Sequence, residues 1–170
     1  VEVTISGLLD IGIDADMTLN GAFWQDGGGM TLTSADIVTS DADVQFADRV
    51  IIREDVSIET GAGGGTIAFL SSLNGLIECG QHPTLSSGSG DMTFAGSVGN
   101  ITALGNILIL SANDLIFQDA LRANSFTQQS SSGETRFESV VIKGANGLDA
   151  IAGAVRFDGD VDTTSGNGPI

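Results

Sequence analysis

Apolar positions along this chain come in short alternating bursts, and one burst keeps returning. Its unit is an apolar residue, any residue, Phe, any residue, a small or acidic residue, any residue, and an aliphatic or aromatic. Val44-Gln-Phe46-Ala-Asp48-Arg-Val50 and Met92-Thr-Phe94-Ala-Gly96-Ser-Val98 show it cleanly, and Met17-Thr-Leu19-Asn-Gly21-Ala-Phe23 carries Leu in the Phe place. Seven copies are legible, anchored at Leu19, Phe46, Phe69, Phe94, Phe117, Phe137 and Phe157. The anchors are 27, 23, 25, 23, 20 and 20 residues apart, a mean of 23. A period in that range marks a stacked repeat array, in which each unit buries its apolar face only against its neighbours.

Within a copy the apolar side chains alternate with variable ones, which is the period of a strand. If Phe46 points inward, so does Val44, while Gln45 and Ala47 point out. The residue two after each anchor (Gly21, Asp48, Ser71, Gly96, Asp119, Ser139 and Gly159) suits a bend. Further strand-like stretches lie between copies, at Thr31–Thr33, Val56–Ile58, Ile107–Leu110 and Val140–Ile142, separated by turns such as Gly61-Ala-Gly-Gly-Gly65. No stripe of helical period is sustained, and Lys143 is the only lysine. The pattern predicts an all-β chain, a parallel β-solenoid of about seven coils of ~23 residues spanning 1–170 as one array. At ~4.8 Å per coil the rod core is roughly 34 Å long. An antiparallel sandwich also has short strands and Gly-rich turns, but does not repeat one side chain in one phase seven times.

Charge narrows the partners. With 6 basic and 22 acidic residues the formal net charge is −16. Nucleic acid and anionic membrane surfaces, which need clustered Lys and Arg, are excluded as expected partners. No apolar run approaches a membrane span, so no membrane insertion is expected. The single Cys79 leaves no internal disulfide to form. Val1 is not an initiator Met, no basic segment followed by an apolar one opens the chain, and Thr164-Ser-Gly-Asn-Gly-Pro-Ile170 reads as the lead-in to an eighth copy. The expectation is a segment of a longer protein.

Three stretches carry a further signature: Asp55 through Phe69, Gly90 through Leu110, and Ser125-Phe-Thr-Gln-Gln-Ser-Ser-Ser-Gly133. They resemble the repeats of very large exported bacterial surface proteins of the filamentous-haemagglutinin and autotransporter-adhesin type, over nearly the whole chain from about Ile13 to Val161. The resemblance implies a right-handed parallel β-helix extending from the cell surface as a stalk or fibre, hence an extracellular or cell-surface location. It also implies a host-surface or glycan ligand set by loops or by domains outside the repeats.

Candidate chemistry is sparse. Asp91, Asp114 and Glu134 stand three residues before successive anchors and would stack about 4.8 Å apart. Such a row could bind Ca²⁺, since hard cations take carboxylate oxygens. The competing reading, which we favour, is that each acid accepts backbone N–H groups at a turn. Arg136 and Arg156 share an outward phase beside Glu138 and Asp158, as in a polysaccharide-lyase face or, more simply, a surface ion-pair lattice. Cys79 and His82 form half of a metal site without a second half, and with Pro83 following His82 the favoured expectation is a loop inserted between coils. Thr31 and Thr33 hint at the Thr rows of ice-binding solenoids, without repetition in phase. Trp24 is either a partner contact or end packing. A Ser/His/Asp triad is not credible around one His.

These readings predict no catalytic residue and no cofactor. The function expected is a non-enzymatic structural or adhesive segment of a secreted or cell-surface fibre. A self-assembling filament subunit stacking end to end is the alternative, with further copies of the chain as partners, and a carbohydrate-active β-helix enzyme comes third. Open strand edges are expected near Val3-Thr-Ile5 and Val161, because no charged cap borders either.

Overall fold

In the computed structural model, which describes residues 1–164, the chain winds as a parallel β-solenoid of about eight coils. No helix occurs among the described residues, and their strand pairings are parallel, each joining one coil to the next. The segment read as a lead-in to an eighth copy lies, from residue 165 on, outside the described residues. The additional coil is instead the first one, built on Glu2–Thr4, Leu8–Ile11 and Met17–Leu19.

Each coil feeds three columns of strands. The first runs through Glu2–Thr4, Phe23–Asp26, Val44–Phe46, Ile67–Phe69 and Met92–Phe94, then through the starts of Leu115–Gln128 and Glu134–Ile142, to Ala154–Phe157. The second stacks Leu8–Ile11, Met30–Thr33, Val50–Ile52 and Leu73–Gly75, and continues by way of Val98 and Leu121 to Val161–Asp162. The third joins Met17–Leu19, Ile37–Thr39, Ser57–Glu59, Thr84–Ser86, Leu104–Ser111, the end of Leu115–Gln128 and Leu148–Ala150. Where coils are shortest, at 20 residues, the strands run on around the corners. Leu115–Gln128 is one such strand, and its bend after the anchor is a register shift between Phe117 and Ala120.

Alternation sorts the side chains. Val44 and Phe46 are fully buried and Gln45 between them is not. Because parallel strands in register place identical positions over one another, the rings of Phe46, Phe69, Phe94, Phe117, Phe137 and Phe157 stack, with centroids 4.5–5.3 Å apart and planes within 13°. Phe126 meets Phe117 and Phe137 edge-on from the third column, at 5.9 and 5.3 Å.

Leu19 does not belong to this stack. It lies in the third column opposite Thr39, and the residue in register with Phe46 is Gln25, 21 residues earlier rather than 27. Gln25 is wholly buried, and its amide is satisfied by the chain itself. Nε2 donates to the carbonyls of Asp26, Gly27 and Gly29 at 3.2–3.4 Å, and Oε1 accepts the amides of Ala47 and Asp48 at 3.1 and 3.3 Å. Phe23, one inward position earlier, tips its ring over Phe46 at 5.4 Å and 51° and so heads the aromatic column. The polar interior of this second coil extends to Thr31, Thr33 and Thr39, all buried. Thr31 Oγ1 is left without a partner, as is Nε2 of the buried Gln128, whose Oε1 accepts the Thr135 hydroxyl at 2.8 Å.

Candidate functional site

Side-chain oxygens at the coil corners accept the amide of the residue one coil further on. Asp91 Oδ1 takes the amide of Asp114 at 3.1 Å and the Asn113 side-chain amide at 2.9 Å; Asp114 Oδ1 takes the amide of Glu134 at 2.8 Å. Asp43 does the same for Thr66, amide and hydroxyl, at 2.8 and 3.0 Å. On the corner before the third column, Asp16 receives the amide of Asp36, and Asp36 that of Ser57. Asp91, Asp114 and Glu134 therefore stand in successive coils, as their spacing predicts, with the Asp91 and Asp114 carboxylates engaged in coil-to-coil hydrogen bonds. Among the described residues no group of three or more His, Cys, Asp or Glu side chains is placed to hold a metal ion. The acids act here as splices, each satisfying a backbone donor where the chain turns and cannot use a strand ladder.

Arg136 and Arg156 are in register in the last two coils, and both Nε atoms donate to Asp158, the Arg156 bond being 2.5 Å long. Those two bonds, Arg136 foremost, hold the Asp158 carboxyl below its usual 3.8, and the bond to Asp158 in return raises the Arg136 guanidinium. A second ion pair, Lys143 with Glu78, bridges the seventh coil to a loop of the fourth. There Lys143, followed by the amide of Ala103, lowers the Glu78 carboxyl from 4.5.

Acid is expected to loosen these contacts. A carboxyl whose folded pKa is depressed contributes stability that is present above its unfolded value and is lost as pH falls through the folded one. Amide-exchange protection of Glu134–Ile142 and Ala154–Phe157 should therefore drop as pH is lowered through and below 3.8, and Asp158→Asn should remove the part of that step owed to the arginines. An identical pH profile in the variant would show that Asp158 does not tie the last two coils together.

The loop 76–83 is the main departure from the repeat. Cys79 adopts a left-handed conformation (φ 57°) and donates its amide to the Ala103 carbonyl at 2.8 Å. The His82 amide goes to Asp55 Oδ1 at 2.7 Å, and its Nδ1 accepts the amide of Asn106 at 2.7 Å. His82 thus continues the corner splice with an imidazole in place of a carboxylate. Neutral Nδ1 is the acceptor this bond requires. Gln81, buried, takes the Ile77 amide at 2.9 Å and donates to the Arg53 carbonyl at 3.3 Å.

Two other sequence candidates resolve simply. Thr31 and Thr33 point into the core and present no outward row. Trp24 lies on the outer face of the first column, 41% exposed, between Glu2 and Gln45 in register. The loop expected around Cys79 and His82 is present, over residues 76–83; what the sequence reading missed is that its two consecutive aliphatics, Leu76 and Ile77, stand exposed. No family model, no curated protein and no solved structure matches the chain.

Proposed function

We propose that this chain is a non-enzymatic structural and adhesive segment of a secreted or cell-surface fibrous protein. One observation carries the reading: the three interior columns pass from coil to coil with no separate domain core, so each added coil lengthens the rod by ~4.8 Å without new tertiary design. Polar side chains at the corners serve that same continuity. The acidic exterior, at −16, suits a solvated spacer and directs adhesion toward glycan or protein ligands in place of nucleic acid or anionic lipid.

The test is immunogold labelling of intact cells that make the parent protein, before and after external proteinase K. Surface label that protease removes is the expected result; label confined to the cytosol would overturn the proposal.

A filament subunit is the second reading. It is favoured by the edge strand Ala154–Phe157, where Val155 and Phe157 are 41% and 38% exposed at the end of the ring stack. Another copy docked there would cover both and continue the column. In sedimentation velocity, a species that stays monomeric across concentration, with the −16 charge screened by salt, would remove this reading.

A further inference from the structure

An asparagine followed by glycine is prone to lose its side-chain nitrogen, because glycine has no Cβ to screen its own backbone nitrogen from the asparagine carbonyl. The chain holds four such pairs, and the fold treats them unequally. Asn167 and Gly168 lie outside the described residues.

The pair Asn74 and Gly75 is closed. Asn74 is 4% exposed, and its Oδ1 accepts the amides of Ile101 and Thr102 at 2.9 and 3.4 Å. The Gly75 amide donates to the Thr102 carbonyl at 3.2 Å. The pair Asn146 and Gly147 is half closed. Asn146 is exposed, but Gly147 is buried in a left-handed conformation (φ 75°), with its amide turned to the Gly144 carbonyl at 3.4 Å. The pair Asn20 and Gly21 is open. Both residues are exposed, in the bend between Met17–Leu19 and Phe23–Asp26. Neither the Asn20 side chain nor the Gly21 amide has a hydrogen-bond partner among the described residues, and a Cβ built on Gly21 would meet nothing within 4 Å.

We propose that this bend is a self-modifying site, at which Asn20 deamidates through Gly21 in the native protein while the fold shields Asn74 and Asn146. The Gly21 nitrogen gives up its proton to solvent and attacks Asn20 Cγ. The new C–N bond closes a succinimide ring, and the side-chain nitrogen leaves, protonated, as ammonia. Water then adds to one ring carbonyl and breaks its bond to the ring nitrogen, leaving an aspartyl or isoaspartyl residue with a new carboxylate. Amide and water become carboxylate and ammonium, with no change of oxidation state. The product falls where the chain has little slack. The Leu19 carbonyl accepts the Ser40 amide and the Phe23 amide donates to the Asp43 carbonyl, both at 2.9 Å, so an isoaspartyl link lengthens the backbone between two fixed coil-to-coil bonds. The inference stands apart from the fibre reading, since it needs only this bend and the coil beside it.

The test is tryptic peptide mapping by mass spectrometry of the 170-residue chain after prolonged incubation at neutral pH, against an unincubated sample. Cleavage after the arginines and Lys143 puts the four pairs on different peptides, 1–49, 54–122, 144–156 and 157–170, and Asn20 is the only asparagine of the first. Peptide 1–49 should gain the deamidation mass about tenfold or more faster than the Asn74 site, which reacts only when its coil opens, and several-fold faster than the Asn146 site. In denaturing urea the three rates should converge. Asn20→Gln should abolish the gain in peptide 1–49. Gly21→Ala, for which the bend has room, should slow it about tenfold with circular dichroism unchanged. No deamidation of Asn20 in the native chain, or native rates at Asn74 and Asn146 equal to its own, would overturn the proposal. So would an unaltered rate in Gly21→Ala, or a spread of rates that survives in urea, which would trace the difference to neighbouring sequence and not to the fold.

Discussion

Replacing Phe117 by Ala is expected to cost roughly 3–5 kcal/mol of folding stability, the range found for deleting a buried aromatic ring. The ring is 1% exposed. It stacks on Phe94 at 4.5 Å and 3°, on Phe137 at 5.2 Å and 9°, and takes the edge of Phe126 at 5.9 Å. Deletion removes transfer free energy and three ring contacts and leaves a cavity. Coils with fixed backbone hydrogen bonds above and below cannot collapse into it. Because stability in a stacked array is carried by neighbour interfaces, amide exchange should quicken most in the coils on either side of Phe117. Phe157→Ala removes a ring that is 38% exposed and stacked on one side only, so its loss should be no more than about a third as large. Denaturant unfolding of the two variants checks the ratio, and similar losses would deny the column its central role.

Gly99→Ala is the second large effect, expected at roughly 2–5 kcal/mol from backbone strain and overpacking together. Gly99 turns the fifth coil with φ +68°, and a Cβ built there would lie 2.0 Å from the Arg122 carbonyl oxygen of the sixth. That oxygen is backbone and cannot swing aside. Its coil is held by the bond from the Arg122 amide to the Val98 carbonyl at 2.8 Å. The clash must be relieved by parting the two coils, which strains the Val98–Leu121 bridge. Gly64, in the turn 61–65, lacks a positive φ and a Cβ there meets open space, so Gly64→Ala should change the unfolding midpoint little. Equal effects from the two substitutions would show that neither the left-handed conformation of Gly99 nor its contact with the next coil demands glycine.

Much of this architecture was legible because a solenoid writes its tertiary structure as periodicity. Parallel coils in register place residues about one period apart in contact, so a recurring Phe in a recurring phase already states which side chains touch. The alternation around Val44, Gln45 and Phe46 likewise fixed which of them face inward. Asp43, Asp91 and Asp114, ahead of their anchors, were legible as turn acceptors, since short carboxylates satisfy backbone donors where strands end.

The pattern failed where a coil used polar residues inside. Gln25 occupies the anchor position of the second coil, but a search for apolar periodicity passes over it and settles on Leu19. The 27-residue gap to Phe46 was the trace of that slip. Gln25 is tolerable there only because five backbone groups converge on its amide, and no feature of the neighbouring sequence announces that convergence.

By itself the sequence determined the fold class, the strand period, the aromatic column from Phe46 to Phe157 and the charge of the exterior. Each of these depends on residue type and spacing alone. Only the tertiary structure decided that Phe23 caps the ring stack, that Asp43, Asp91 and Asp114 reach the next coil, and that Ile13, Leu76 and Ile77 line one pocket. These depend on coil lengths that vary from turn to turn. Ile13 and Ile77 lie 64 residues apart in the chain, and nothing short of the winding brings them together.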